Sequence, residues 1–357
     1  MVSPYIFMKS TVMQYYREEK IMNVGFMRNF KKPNEMAYLT AKMSKYYGIN
    51  IVYLNPKDID IDNNIARGRV LEGEKWVRKE MEIPKLIDIS PYCFKEKNKE
   101  VISYLRKNVY LTDNRKNVIN KEKLQEELKN DTMFSHLVIP TTKLESFNDI
   151  VDMQQKYSTI VIKPIKGERG KGIYILKKQG IKYTIGHYTE EKKISKRRLY
   201  KLYKEELSEG YIIQKYINSR SKNGDPFDCR LQLEKNGQGT WEIAKMYIRI
   251  GIGQTIISNM NQGGGMADPK SFLKANFPDK WEQIYKSLED LGKIFPYKFE
   301  ELRKTDIMTL GIDVGIDQNG DLYIFEANGA PDTSRIKAEV INLRTQYYKY
   351  LLNNKIK

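Results

Sequence analysis

Three oxygen-bearing side chains stand close together late in the chain: Asp313, Glu326 and Asn328, in the run GIDVGIDQNGDLYIFEANGAP. Glu326 and Asn328 are two apart, so they share one face of an extended strand. A turn at 317–320 would fold the strand carrying Asp313 back alongside them. Two carboxylates and an amide gathered in a buried place are costly without compensation. Magnesium compensates, because it takes hard oxygen ligands together with nucleotide phosphates. The competing reading is a solvent-facing strand edge, and Asp317 and Asp321 are read as turn residues.

A second stretch has complementary chemistry. In VIKPIKGERGKGIYIL (161–176), Lys163 ends one apolar run and Lys166, Arg169 and Lys171 follow, interleaved with Gly167, Gly170 and Gly172. Glycines permit positive φ and close backbone approach. A basic, N–H-rich loop between two strands can fold over a triphosphate. It is not a Walker A loop, because Gly172 follows Lys171 and a strand, not a helix, comes next. Alone, the segment also reads as a solvated hairpin tip.

Between these stretches lie weaker signals. IIQKYI (212–217) places Gln214, Lys215, Tyr216 and Ile217 where a connector's backbone could meet an adenine edge. FDCR (227–230) puts Asp228 and Arg230 on one side of a strand, suited to a ribose hydroxyl and to a phosphate or carboxylate respectively. The bland alternative is a cross-strand ion pair. Arg249, Asn259, Gly263 and Gly264 form a further polar and flexible patch.

The elements that position these residues follow from length and periodicity. A chain of 357 residues is expected to form two or three domains, and 40% hydrophobic residues suffice for their cores. IMNVGFM, PNEMAYLTAKMSKYYG opened by Pro33 and closed by Gly48, and INIVYL read as a βαβ unit of a parallel sheet. Residues 57–90 look less regular, with IPKLIDI as a later strand. Residues 113–136 read as polar and helical, and VIPTTKL as a strand. Strands at 160–163 and 172–177 flank the glycine loop, with a charged, partly helical stretch at 186–209. YIIQKYI is a further strand, and FDCRLQLEKN, GTWEIAKMYIRIG and TIISNMN form an antiparallel meander. Trp281, Ile284, Tyr285, Leu288, Leu291 and Ile294 define a helix face. A last helix after Thr333 or Ser334 shows Ile336, Val340, Leu343 and Tyr347. The expected domains are 1–112, 113–210 and 211–357.

The balance of 62 Lys and Arg against 45 Asp and Glu, a net charge of +17, favours anionic partners: nucleotide phosphates, acidic polymers or nucleic acid. Cys93 and Cys229 form neither a disulfide framework nor a zinc motif, and His136 and His187 suggest no metal site. No run of about 18 apolar residues predicts a membrane span. The first twenty residues do not read as a secretory signal. A cytoplasmic, reducing compartment fits.

Taken in order, Lys163, the glycine loop, IIQKYI, Asp228-x-Arg230, Arg249, SNMNQGG (258–264) and the hairpin ending E-x-N-x-x-P resemble the ATP-grasp superfamily. The FDCR, GTWEIAKMYIR, SNMNQGG and LGIDVGIDQNGDLYIFEAN blocks resemble its YheC/YheD-like, endospore coat-associated branch. The same order is also similar to ligases that add glutamate to a protein tail. The resemblance implies an α/β fold, α+β in its C-terminal part, with a βαβ domain preceding the ATP-grasp lobes. It implies that Lys163 and the glycine loop contact ATP phosphates, residues 214–217 adenine, Asp228 the ribose and Arg249 the phosphoryl region. Asp313, Glu326 and Asn328 would bind two magnesium ions. Two departures stand out. Lys215 replaces an acidic residue of many relatives, and EANGAPDTS lacks the usual glycine after proline.

The resemblance further implies a ligase that joins a carboxylate to an amine through an acyl phosphate, on small-molecule or peptide substrates. Arg230 would orient the carboxylate, and Asn259, Gly263 and Gly264 would lie at the substrate end. The rival reading is a polyanion-binding or spore-coat structural protein on the same fold. Residues 151–210 hold fifteen Lys and Arg against seven Asp and Glu, with bases and tyrosines interleaved in KKISKRRLYKLYKEE.

Overall fold

The first sheet grows from the βαβ unit read in the sequence. In the computed structural model, which describes residues 22–165, 172–187, 190–207, 210–251 and 264–356, β1 (Met22–Met27) leads through α1 (Glu35–Tyr46) to β2 (Ile49–Leu54). The two strands pair in parallel. Asn34 caps α1 by accepting from the Ala37 N–H at 3.0 Å, so the helix starts after Pro33 rather than at it. Gly48, with φ 71°, ends it in the left-handed conformation.

Residues 57–82, expected to be irregular, form β3 (Ile59–Asp60), β4 (Ile65–Glu72) and β5 (Lys75–Glu82). β4 and β5 are a full antiparallel hairpin. Most of β5 is exposed on both faces, which erases the period-two signal. β6 (Leu86–Ile89), buried at every position, pairs in parallel with β1, and after α2 (Lys99–Asn108) β7 (Tyr110–Leu111) extends the edge. The order is β3-β4-β2-β1-β6-β7, with β5 beside β4.

Of the polar stretch 113–136, Lys121–Lys129 forms an α-helix, α3, whose Leu124 and Leu128 pack into the core of the third sheet. The second sheet is antiparallel. It contains β8 (Thr141–Lys143), β9 (Thr159–Pro164), β10 (Tyr174–Gln179), β11 (Lys182–His187), β12 (Glu190–Ile194) and β13 (Tyr211–Lys215), in the order β12-β11-β10-β9-β13-β8. α4 (Phe147–Lys156) and α5 (Lys196–Glu206) cover one face. Ile150, Met153, Leu199 and Tyr203 pack there against Ile160, Ile162, Leu176 and Ile213.

The third sheet has the order β16-β15-β14-β17-β18, from β14 (Phe227–Lys235), β15 (Trp241–Ile250), β16 (Gly265–Ala267), β17 (Thr309–Ile316) and β18 (Leu322–Asn328). Short α6 (Pro269–Asn276) precedes the long α7 (Trp281–Arg303), which lays Ile284, Leu288, Leu291 and Phe295 on the apolar face of this sheet. Ile294, expected on that face, is exposed instead. α8 (Lys337–Asn354) serves two sheets. Tyr347, Tyr348 and Leu351 join Val24 and Phe26 of the first, while Arg344 bonds Glu234 on β14.

The sheets divide the chain differently from the expected limits at 112 and 210. β13 belongs to the second sheet, and α3 packs on the third.

Candidate active site

Strand register brings the acidic and basic candidates together. On β14 the side chains alternate: Phe227, Cys229, Leu231 and Leu233 enter the apolar core, while Asp228, Arg230, Gln232 and Glu234 are buried on the opposite, polar face. Residues directly opposite in an antiparallel ladder share a face. Asp228 lies opposite Arg249 on β15, and Arg230 lies opposite Asp313 on β17. Asp313 in turn lies opposite Glu326 on β18, and Gly311 opposite Asn328.

The last pairing depends on a β-bulge. From the turn, Ile316 pairs with Leu322, Gly315 with Tyr323 and Val314 with Ile324, so an unbroken register would set Phe325 against Asp313. One extra residue in β18 puts Glu326 there instead. Gly315 makes room for it, since a Cβ at that position would overlap the Phe325 ring.

The four charges nearest the sheet centre form an alternating chain. Arg249 donates twice to Asp228, from Nε at 2.6 Å and from Nη2 at 2.8 Å, and Nη2 also reaches Asp313 at 2.8 Å. Arg230 Nε donates to the other Asp313 oxygen. Burial opposes ionisation of Asp313, but Arg230 and Arg249 more than offset it and hold its carboxyl below the ordinary aspartate range. Burial likewise opposes charge on Arg249, and Asp228 and Asp313 overcome it and raise its pKa.

Asp313, Glu326 and Asn328 thus present two carboxylates and an amide from adjacent strands on one face, a hard-oxygen donor set that suits magnesium. Among the described residues no group of three or more His, Cys, Asp or Glu is arranged to hold a metal. The third donor here is the Asn328 amide, whose Oδ1 accepts from the Ala330 N–H at 2.9 Å.

The second sheet offers a further open face beside the connector. Thr159, Val161 and Lys163 alternate along β9 on the face away from α4 and α5, and Ile175 and Lys177 of β10 lie opposite Val161 and Thr159. A cavity of about 710 Å³ is lined there by Thr159, Ile175, Lys177, Lys215 and Tyr216, among others. The Lys215 ammonium lies 5.4 Å from the Tyr323 ring centroid, and Tyr323, opposite Gly315, shares the face of Asp313. One connector side chain therefore reaches the sheet face that carries Asp313. Gln318 Nε2 ties it to the β17–β18 turn by donating to Asn218 O and Arg220 O at 3.1 and 2.9 Å.

Within the connector the Lys215 N–H bonds Pro140 O at 2.9 Å and the Tyr216 N–H bonds Thr159 O at 3.2 Å. The buried Gln214 side chain donates to Thr141 Oγ1 at 2.8 Å, and Ile217 is buried. Gly172 has φ 72°. Gly264 leads into β16, where Met266 lies opposite Arg249. Lys166, Gly167, Arg169, Gly170, Lys171, Asn259 and Gly263 lie outside the described residues.

Several neighbours escaped the sequence reading. Tyr323 and Phe325 looked like ordinary strand residues. Glu234 is fully buried and bonded by Arg344 at 3.0 and 3.1 Å, and its partner lies 110 residues away, beyond any local signal.

Comparison with known proteins identifies the fold and the family. A YheC/D like ATP-grasp family model matches residues 111–354. The chain is 25% identical over 334 residues to the endospore coat-associated protein YheC of Bacillus subtilis, covering 88% of this chain and 90% of that protein. It is also 25% identical over 228 residues to YheD of the same organism, spanning 61% of this chain and about half (49%) of YheD. Among solved structures, N5-carboxyaminoimidazole synthetase from Staphylococcus aureus complexed with ADP superposes with a TM-score of 0.51 at 14% identity, over 91% of this chain and 77% of that one. The C-terminal domain of Pby1 from K. lactis, an ATP-grasp enzyme, gives 0.51 at 12% identity over 91% of each chain. The fold is that of the ATP-grasp proteins, and the chain belongs to the YheC/D-like ATP-grasp family.

Proposed function

We propose that this protein is an ATP- and magnesium-dependent ligase that joins a carboxylate to an amine. The supporting observation is the register that gathers Asp228, Arg230, Arg249, Asp313, Glu326 and Asn328 on one face, with Lys215 of the connector over Tyr323 of that face. Structural neighbours named as ligases, including PsnB in complex with a minimal precursor, Mg and ADP, support the same reading.

In the proposed reaction a substrate carboxylate oxygen attacks the γ-phosphorus of ATP. The bond to the β,γ-bridging oxygen breaks and ADP leaves. An amine nitrogen then attacks the acyl carbon, phosphate departs, and the nitrogen loses a proton to give the amide. Arg230 orients the carboxylate and the acyl phosphate, and Arg249, anchored by Asp228, supplies fixed positive charge beside it. Lys163 and the glycine loop hold the phosphate tail, and Lys166, Arg169 and Lys171 neutralise it. The carbonyls of the 215–217 connector take the adenine amino group, since two of its N–H groups are already engaged. Asp228, through the oxygens it shares with Arg249, faces the ribose. Asp313, Glu326 and Asn328 would hold magnesium, which when bound neutralises charge between the terminal phosphates.

ADP release that requires both an amine and a carboxylate, and that Glu326→Ala abolishes, is the expected result. Failure of the purified protein to bind ATP with magnesium at millimolar levels would refute the assignment. A second reading, polyanion binding without turnover, is favoured by α5, which exposes Arg197, Lys201 and Lys204 around Tyr200. It predicts salt-sensitive RNA retention that survives Glu326→Ala. The relatives' coat-associated names support a spore-associated location, and the two buried thiols, Cys93 and Cys229, suit a reducing cytoplasm.

A further inference from the structure

The loop after β1, residues 28–34, is pinned more firmly than an exposed turn requires. The Tyr53 hydroxyl bonds the carbonyls of both Phe30 and Lys32 at 2.9 Å. Asn55 Nδ2 donates to Arg28 O at 3.1 Å, and Arg69 donates to Lys31 O. Arg28 itself bonds Asp88 at 3.0 Å and lies 3.4 Å from the Phe26 ring centroid. Three side chains from β2, the turn after it and β4 therefore hold four carbonyl groups of this short segment, those of Arg28, Phe30, Lys31 and Lys32. What this fixed backbone projects is Phe30, 64% exposed, with Lys31 and Lys32, both exposed. Glu35, the acidic residue at the end of the loop, is taken by Lys337.

The position of the loop gives these groups a use. β1 has β2 on one side and β6 on the other, and ligands of open parallel sheets bind beyond the carboxyl ends of such central strands. The helix that the loop enters reaches toward the candidate site. Met36 packs with Tyr247, Ile336 and Val340, and Tyr247 lies opposite Arg230 in the sheet. From the other side, the segment after Asn328 lays Pro331 over Gly311 beside Arg230 and then exposes Arg335.

We propose that Phe30, Lys31, Lys32 and Arg335 form the docking rim for an acidic polypeptide, the source of the carboxylate in the ligation; this rests on the ligase reading above. The cations are spread over two loops on open surface, so a single small carboxylate does not satisfy them and a chain bearing several does. The exposed ring gives such a chain one apolar anchor, as interface anchors commonly do. A polypeptide is favoured over a nucleic acid because the site beyond the rim is suited to activating a carboxylate.

The test is fluorescence anisotropy of a labelled deca-glutamate peptide with the full chain at low salt, without nucleotide, and with ATP binding measured separately by calorimetry. Wild type is expected to bind the peptide. Charge reversal by Lys31→Glu with Lys32→Glu should weaken it about tenfold, and Arg335→Ala or Phe30→Ala, in separate loops, several-fold. ATP affinity and melting temperature should be unchanged in all three. Arg197→Ala, Lys201→Ala and Lys204→Ala together, on α5, should leave peptide binding intact. The proposal is overturned if wild type ignores the peptide, if the rim variants bind it as wild type does, or if the α5 variant is the one that loses it. It is also overturned if single-stranded RNA of equal charge binds the rim more tightly. Absence of ATP binding with peptide binding intact would instead sink the ligase reading alone.

Discussion

Asp313→Asn is the substitution that tests the site's electrostatics most directly. The carboxylate accepts from Arg230 and from Arg249, and the three side chains are all largely buried, at 12%, 10% and 18% exposure. The amide keeps one acceptor but removes the charge that balances the two guanidinium groups, of which Arg249 alone also bonds Asp228. Removing one partner of a buried ion pair costs about 3–5 kcal/mol. With an acceptor retained, about 3 kcal/mol is expected, roughly a hundredfold in the folding equilibrium. Urea unfolding followed by fluorescence reads this well in a Trp76→Phe background, where the remaining tryptophans, Trp241 and Trp281, both pack against the core of the third sheet. The double variant with Arg230→Met should cost less than the two single changes summed, by about 1–3 kcal/mol. A loss under about 1 kcal/mol, or strict additivity with Arg230→Met, would show that the pair does not carry the charge balance described here.

Arg344→Met should destabilise about as much, because it strands the fully buried Glu234, yet it should leave ATP binding unchanged; adding Glu234→Gln should recover most of the loss in the same urea assay. Gly311→Ala would put a Cβ 2.8 Å from Pro331 and 3.0 Å from Arg230, so ADP release should fall several-fold while the melt shifts by the about 1–3 kcal/mol of overpacking. Burial works against ionised Asp88 and Asp313, but arginines (Arg28 and Arg344 for the first, Arg230 and Arg249 for the second) hold both below the ordinary aspartate range. The folded state therefore binds fewer protons than the unfolded chain near pH 4. The stability these groups add is fully present above their unfolded value of about 3.9 and is lost as pH falls through the depressed folded values. Asp88→Asn should flatten that acid limb in urea midpoints measured between pH 2 and 6, and an unchanged limb would contradict the assignment.

The polar face of β14 also joins the lobes. Beyond Arg230 it continues through Gln232 to Glu234, which bonds Thr309 at 2.6 Å and Arg344, and Arg344 lies 3.9 Å from Asp88 in the first sheet. Every step but the last is a hydrogen bond or a shared strand face. The candidate site and the docking rim at β1 are thereby held to one buried charge network, so a change at Arg344 is read in stability before it is read at either site.

Much of this was determined by local sequence. The Asn34 cap and Gly48 delimit α1, apolar spacing marks the face of α7, and the 317–320 turn makes a hairpin with Glu326 and Asn328 on one side. Each depends on residues within a turn or two of one another, where propensity and periodicity act directly. Tertiary structure alone decided the rest. The β4–β5 hairpin was hidden because exposure on both faces removes alternation. The bulge at Phe325, which turns Glu326 to face Asp313, depends on room above Gly315. The Arg230–Asp313 pair joins positions 83 residues apart. Composition announces that such charges exist, but only packed strands, excluding water and setting register, determine which of them meet and which carboxylate must be neutralised by its neighbours.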